Sequence, residues 1–286
     1  MGPGQTMEIS LIICTRNRCG RLKECLASIT KLSFEKRWEI VLVDNGSTDD
    51  TKSVIQAFAK KSPVPVHYVY EVNPGLATAR NAGVKKSAGC ILVFTDDDCY
   101  PQQDFLNRAW DAFANPTVGY LTGRILLHDP TDAPVTVNES ETPRTFPRHT
   151  FLDVGAVMGA NMAFRRNVIE EIGGFDPLLG TGAPLESAED LDAACLASVA
   201  GWTGQYCPDV VVSHHHGRKA NDIAGIQKSY DIGRGAYYMK LLLKQHQFIW
   251  FARTLWRMPR RVKWYPGAVR RELVGYARYT RAYFRS

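Results

Sequence analysis

Apolar positions come in two alternating rhythms over the first 115 residues. Glu8 to Cys14 is a short β-branched run and reads as a buried strand. Arg21 to Lys31 then puts Leu22, Cys25, Leu26 and Ile29 on one helical face. Trp38 to Val43 is a second apolar strand, and Ser47 and Thr48 read as caps of a helix with Asp49 and Asp50 in its first turn. Val66 to Tyr70 is a third strand. Asn73-Pro74-Gly75 is a turn before a helix from Leu76 to Ser87. Cys90 to Thr95 is a fourth strand, ending at Asp96-Asp97-Asp98, with Pro101 near the start of a helix reaching Asn115.

Strands alternating with helices predict an α/β domain around a parallel, doubly wound sheet. Ligands of such sheets bind beyond the carboxyl ends of the strands. The polar clusters fall there: Thr15-Arg16-Asn17, Asp44-Asn45, Asn73-Pro74-Gly75 and Asp96-Asp97-Asp98. The second half is less regular. Residues 128–150 are rich in Pro, Thr and acids and read as a long surface loop. Gly159 to Phe164 reads as a turn and short strand, and Val168 to Ile172 as a helix closed by Gly173-Gly174. Residues 177–187 form another loop, and Ala188 to Ala200 a helix ended by Gly201. Val210 to Ser213 is a strand before His214-His215-His216, and the rest is helical.

Composition narrows the class. With 286 residues, 45% apolar and 22% charged, the chain is globular rather than disordered. It has no apolar run of transmembrane length and no basic-then-apolar leader, so a cytoplasmic location is expected. Met1-Gly2-Pro3-Gly4, within a lead of residues 1–6, reads as disordered. Seven cysteines without a C-x-x-C pair fit reduced thiols. The net charge of +6 is uneven. Phe251 to Ser286 carries ten Lys/Arg against one acid, and the remainder is net acidic. A near-neutral body argues against nucleic acid as a partner, while the basic tail with interleaved aromatics suits an anionic bilayer or a packed helical appendage.

Several residues could carry chemistry. Closely spaced carboxylates at a strand end can hold Mg²⁺ or Mn²⁺ against phosphate oxygens, although an acidic turn before a helix would look the same. Asp44 can accept from a base N–H or a ribose hydroxyl, or simply make an Asx-turn. Glu189-Asp190 opens a helix after a Gly- and Pro-containing loop, as a general base or as an acid pair at a helix start. His214 can join carboxylates on a metal, with His216 in reserve, or lie in a polar loop. Gly159 and Ala160 are small enough to admit a ligand close to the backbone.

The segments I-I-C-T-R-N-R, V-D-N-G-S-T-D, N-P-G-L-A-T-A-R-N-A-G, F-T-D-D-D, G-A-N-M-A-F-R-R, E-I-G-G-F-D, A-E-D-L-D and V-V-V-S-H occur in that order between Glu8 and His216. Together they resemble family 2 glycosyltransferases. The resemblance implies a Rossmann-like A-type fold, a mainly parallel central sheet and a helical C-terminal appendage. The catalytic domain would span residues 7–220, with a nucleotide-binding half at 7–115, an acceptor half at 116–220 and an extension at 221–286. It further implies inverting, metal-dependent transfer from a nucleoside-diphosphate sugar, UDP-linked in many relatives, to a glycan or lipid-linked acceptor. Thr15, Arg16, Asn17, Asp44, Asn73, Gly75, Arg80, Asp96 and Asp97 would serve the nucleotide. Asp96, Asp98 and His214 would hold the metal, and Gly159, Ala160 and Asn161 would approach the donor sugar. Asp190 would be the base and Glu189 its neighbour in positioning. Asp44-Asn45 stands where the family often has two aspartates, and Cys14 where proline is common. Two rival readings are a nucleotidyltransferase, for which Thr15 to Gly20 is a poor phosphate loop, and a non-catalytic carbohydrate- or membrane-binding relative, which would have no use for Asp98 and Asp190 together.

Overall fold

The structure is a computed structural model that describes residues 6–285. The expected lead at Met1 to Gly4 lies outside the described residues. In chain order the elements are β1 (Ile9–Thr15), α1 (Cys19–Ile29), β2 (Trp38–Asp44), α2 (Thr51–Ala59), β3 (Val66–Tyr70), α3 (Leu76–Lys86), β4 (Ile91–Asp96), β5 (Cys99–Pro101) and α4 (Phe105–Ala112). They continue with β6 (Val118–Leu127), β7 (Arg144–Phe146), β8 (Asn161–Arg165), α5 (Arg166–Glu171), α6 (Glu189–Val199), β9 (Thr203–His214), α7 (Ile223–Leu243), α8 (Phe248–Trp264) and α9 (Pro266–Tyr283).

The strands form one sheet in the order β3-β2-β1-β4-β8-β6-β9-β5, with β7 beside β9. β1, β2, β3 and β4 are mutually parallel, and β6 and β9 share their direction. β8, β5 and β7 run against it. The expected parallel sheet is therefore mainly parallel but mixed. β8 enters between β4 and β6 without a helical crossover, which only an antiparallel strand can do readily.

Alternation along β1 sorts the core into two layers. Ile9, Leu11 and Ile13 face α1 and α4, whereas Ile12 faces α3 and the C-terminal helices. Tyr237, Leu241 and Tyr276, from α7 and α9, are buried in that second layer. The segment after residue 220 is thus built into the core.

Four local expectations are corrected. Ser47 and Thr48 do not cap α2, which starts at Thr51. The Ser47 hydroxyl accepts from the Asn17 N–H at 2.9 Å, and the Thr48 N–H donates to Asn17 Oδ1 at 2.7 Å. Pro101 lies in β5 rather than at a helix start, so the Asp triplet is not an acidic cap of α4. The 128–150 loop contains β7 and buries Phe146. β9 begins at Thr203 and takes in the whole approach to His214. β6 arises from residues that periodicity leaves unassigned.

Candidate active site

The strand order reverses between β1 and β4, where Cys14 pairs with Asp96 in register, and β2 brings Asp44 beside Thr15. This is the switch point at which open α/β sheets bind ligands. A cleft of about 580 Å³ opens there. Thr15, Arg16, Gly75, Arg80, Asp96, Asp97, Asp98, Gly159, Ala160, Glu189, Asp190 and His214 all line it. Residues from both halves of the sequence therefore converge on one cavity.

The Asp triplet is held from several sides. β5 pairs with β9 so that Cys99 lies opposite His214, and the His215 N–H donates to the Asp98 carbonyl at 2.8 Å. That pairing sets His214 Nε2 3.3 Å from Asp98 Oδ1. Nδ1 of the same ring is 3.2 Å from the Thr136 carbonyl, which turns Nε2 toward the carboxylates. Thr15 Oγ1 donates to Asp97 Oδ2 at 2.6 Å. Arg18 spans Asp97 Oδ1 at 2.7 Å and Asp98 Oδ2 at 2.6 Å.

The residues present fit a divalent cation. Ligand atoms of Asp96, Asp98, Cys99 and His214 lie within 4.8 Å of one another. Asp98 Oδ1 is buried among them and accepts no hydrogen bond, a cost that coordination would relieve. Burial drives the Cys99 thiol far above its ordinary pKa, so the oxygens and the imidazole are the natural ligands of a hard ion. Burial also raises the Asp98 carboxyl, but His214 and Arg18 outweigh it and hold the group ionised. Asp97 is pushed up to about 7 by burial, against Arg18 and Thr15. His214 is pressed down by burial and brought above its ordinary range by Asp98 and Asp96.

Across the cleft, α6 starts at Glu189 behind two left-handed non-glycine residues, Glu186 (φ 69°) and Ala188 (φ 79°). Such backbone costs energy and is kept where function needs it. Asp190 Oδ2 accepts from the Gly159 N–H at 2.7 Å and Oδ1 from its own Leu191 N–H at 2.7 Å, which fixes the carboxylate and leaves lone pairs for an acceptor hydroxyl. Glu189 is buried and takes Arg80 at 2.7 Å, while Arg80 also reaches Asp96 at 3.6 Å. Burial first, then Asp190, raises Glu189 to about 7 against the pull of Arg80. Arg80 thus clamps α6 to the end of β4. A Cβ on Gly159 would stand 2.3 Å from the Arg80 guanidinium, so any larger residue there would displace Arg80.

Four expected residues do not line the cleft. Asn17 ties its loop to Ser47 and Thr48. Asp44 accepts from the Ser47 N–H at 2.8 Å and from the Tyr68 hydroxyl at 3.1 Å. Asn73 folds back on Glu71, and Asn161 donates to the Arg124 and Val210 carbonyls, stitching the sheet. Gly75 does line it, at φ 127°, with its N–H donating to Asn45 Oδ1 at 3.0 Å. The residues missed by sequence reasoning are Arg18, Thr136 and Arg218, together with Tyr230 and Arg234 of α7. Arg18 sits three residues after Thr15, and its position in I-I-C-T-R-N-R was the one available signal.

This arrangement, metal-type ligands at a switch point facing a fixed carboxylate, is suited to an enzyme cleft. The family profile of glycosyl transferase family 2 matches residues 10–173. The chain belongs to that family and is a glycosyltransferase. Glycosyltransferase AglE of Haloferax volcanii is 25% identical over 249 residues, covering 87% of this chain and 79% of its own. The fold is shared with mannosyltransferase PcManGT from Pyrobaculum calidifontis, solved with GDP-Man and Mn²⁺ (TM-score 0.63, 22% identity, 96% of this chain and 75% of that one). It is also shared with TarS of S. aureus, solved with UDP-GlcNAc (TM-score 0.60, 19% identity, 85% and 73%).

Proposed function

We propose that this chain transfers a sugar from a nucleoside-diphosphate sugar, with UDP as the nucleotide, to an acceptor hydroxyl with inversion at the anomeric carbon. The observation that carries the reading is the facing of Asp96, Asp98 and His214 by Asp190 within one cleft. Asp190 takes the acceptor proton as the oxygen attacks the anomeric carbon. The bond to the diphosphate breaks from the opposite face, and its electron pair leaves with the phosphate oxygen. Mn²⁺ or Mg²⁺ on Asp96, Asp98 and His214 would neutralise that leaving charge. Glu189, held by Arg80, positions Asp190. Gly159 and Ala160 bring backbone close to the donor sugar. Asp44, at the end of β2, is the base-reading candidate, and Thr15 and Arg16 line the nucleotide pocket.

The acceptor is a glycan or lipid-linked hydroxyl, and the protein works in the cytoplasm at the inner face of a membrane. Among the described residues no helix is long and apolar enough to cross a bilayer. Donor hydrolysis across UDP-, GDP- and dTDP-sugars tests the reading. Turnover of a UDP-sugar with Mn²⁺, abolished by EDTA, is expected. Full activity in excess EDTA, or no turnover of any donor, would overturn it.

A further inference from the structure

We propose that the outward face of α8 docks on an anionic bilayer and carries the mouth of the cleft to it, so that the acceptor is membrane-borne. The proposal rests on the transfer reading and replaces the whole basic tail with one face of one helix. α9 does not supply that face. It turns Val269, Glu272, Tyr276 and Tyr279 into the protein and packs on α7.

α8 carries Arg253, Arg257, Arg260, Arg261 and Lys263 and no acid. Arg257 is spent on Asp153 and Arg261 on Glu272. Arg253, Arg260 and Lys263 have no acidic partner among the described residues. They lie over the rings of Phe151, Trp256 and Trp264, at 5.5, 5.2 and 5.3 Å. Trp256 and Trp264 are each 70% exposed and Ile249 is 83% exposed. Ile249, Trp256, Arg260 and Lys263 follow at helical intervals that put them on one side. Exposed indoles beside unneutralised cations are the chemistry of an interfacial helix: rings at the headgroup level, cations on lipid phosphates.

The same helix is fastened to the cleft. Its inner face sets Trp250 against Phe151, ring centres 6.2 Å apart, and Arg257 on Asp153 at 2.6 Å. The next residues, Val154, Gly155, Val157 and Met158, form an apolar wall of the cavity. A bilayer on α8 is therefore one layer of side chains away from that wall of the cleft, which we assign to the acceptor.

Co-sedimentation of the full chain with phosphatidylcholine vesicles, with and without phosphatidylglycerol, is the test. Binding is expected only with phosphatidylglycerol and should weaken with salt. Arg260→Gln with Lys263→Gln should weaken it about 30-fold, from the contribution of two cations at an anionic surface. Trp256→Ala with Trp264→Ala should lower binding further at high salt, where insertion dominates. Arg281→Gln with Arg285→Gln, the same charge loss at exposed positions in the last turn of α9 and just beyond it, should cost far less. No binding to anionic vesicles, or an equal loss from the α9 pair, would overturn the proposal. Hydrolysis of a soluble donor, measured on the same proteins without vesicles, should be unchanged in every variant. Its absence from the parent would sink the transfer reading instead.

Discussion

Replacing Lys240 by methionine tests whether the C-terminal helices belong to the catalytic unit. Lys240 on α7 is 2% exposed. Its Nζ lies 2.6 Å from Asp192 Oδ2 on α6 and 2.7 Å from Asp176 Oδ2. Burial presses the ammonium down, and the two carboxylates more than restore it, so the cluster is charged. Methionine keeps the length and removes the charge, leaving two buried carboxylates without their cation. Breaking a buried pair in this way costs about 3–5 kcal/mol, a fall in Tm of roughly 10 °C for a domain of this size. The pH dependence has a definite sign. Burial already raises Asp192 against the pull of Lys240, so losing Lys240 raises it further. A carboxyl whose folded pKa is above its unfolded value binds more protons when folded, so its penalty grows as pH rises and fades as pH falls. Thermal unfolding by circular dichroism should show a larger gap between variant and parent at pH 8 than at pH 5. A drop of less than about 2 °C, or a gap that widens on acidification, would refute the reasoning.

Other outcomes follow from the cleft. Asp98→Asn should lose at least about 100-fold in turnover and weaken UDP binding with Mn²⁺ but not without it, by calorimetry; unchanged Mn²⁺ dependence would count against the ligand set. Arg18→Lys keeps the charge and loses the fork that presents Asp98 Oδ1, so Mn²⁺ binding read by electron paramagnetic resonance should weaken about 10-fold; equal affinity would remove Arg18 from the site. NMR of the purified product should show the anomeric configuration opposite to that of the donor, and retention would exclude a single displacement.

Much of this was legible because the first half is repetitive in its physics. Each β–α unit declares itself by a β-branched run, a polar strand end and an amphipathic helix, so β1 to β4 and Asp96 to Asp98 could be placed. The second half was harder for identifiable reasons. β6 carries Gly119 and Gly123 against Trp202 and Asn161, and most of it is buried, so it shows neither strict alternation nor turn signals. The register by which β5 meets β9 is a long-range pairing and leaves no local trace, although it decides that His214 rather than His216 faces Asp98. Asp44 and Asn161 show another limit of residue type: it suggests a ligand role for both, and only the fold reveals that their side chains also bond to protein, Asp44 to Ser47 and Tyr68, Asn161 to the Arg124 carbonyl. Arg18 was passed over because its importance lies in what it touches 79 and 80 residues later.

The central claim is that two separate carboxylate stations share the reaction, one for the leaving diphosphate and one for the acceptor proton. Asp190→Asn separates them. With a UDP-sugar and Mn²⁺, the variant should bind donor nearly as tightly as the parent, while single-turnover transfer to acceptor slows by at least about 100-fold, the scale of a lost general base. Transfer at the parental rate, or a loss confined to donor binding, would contradict the account.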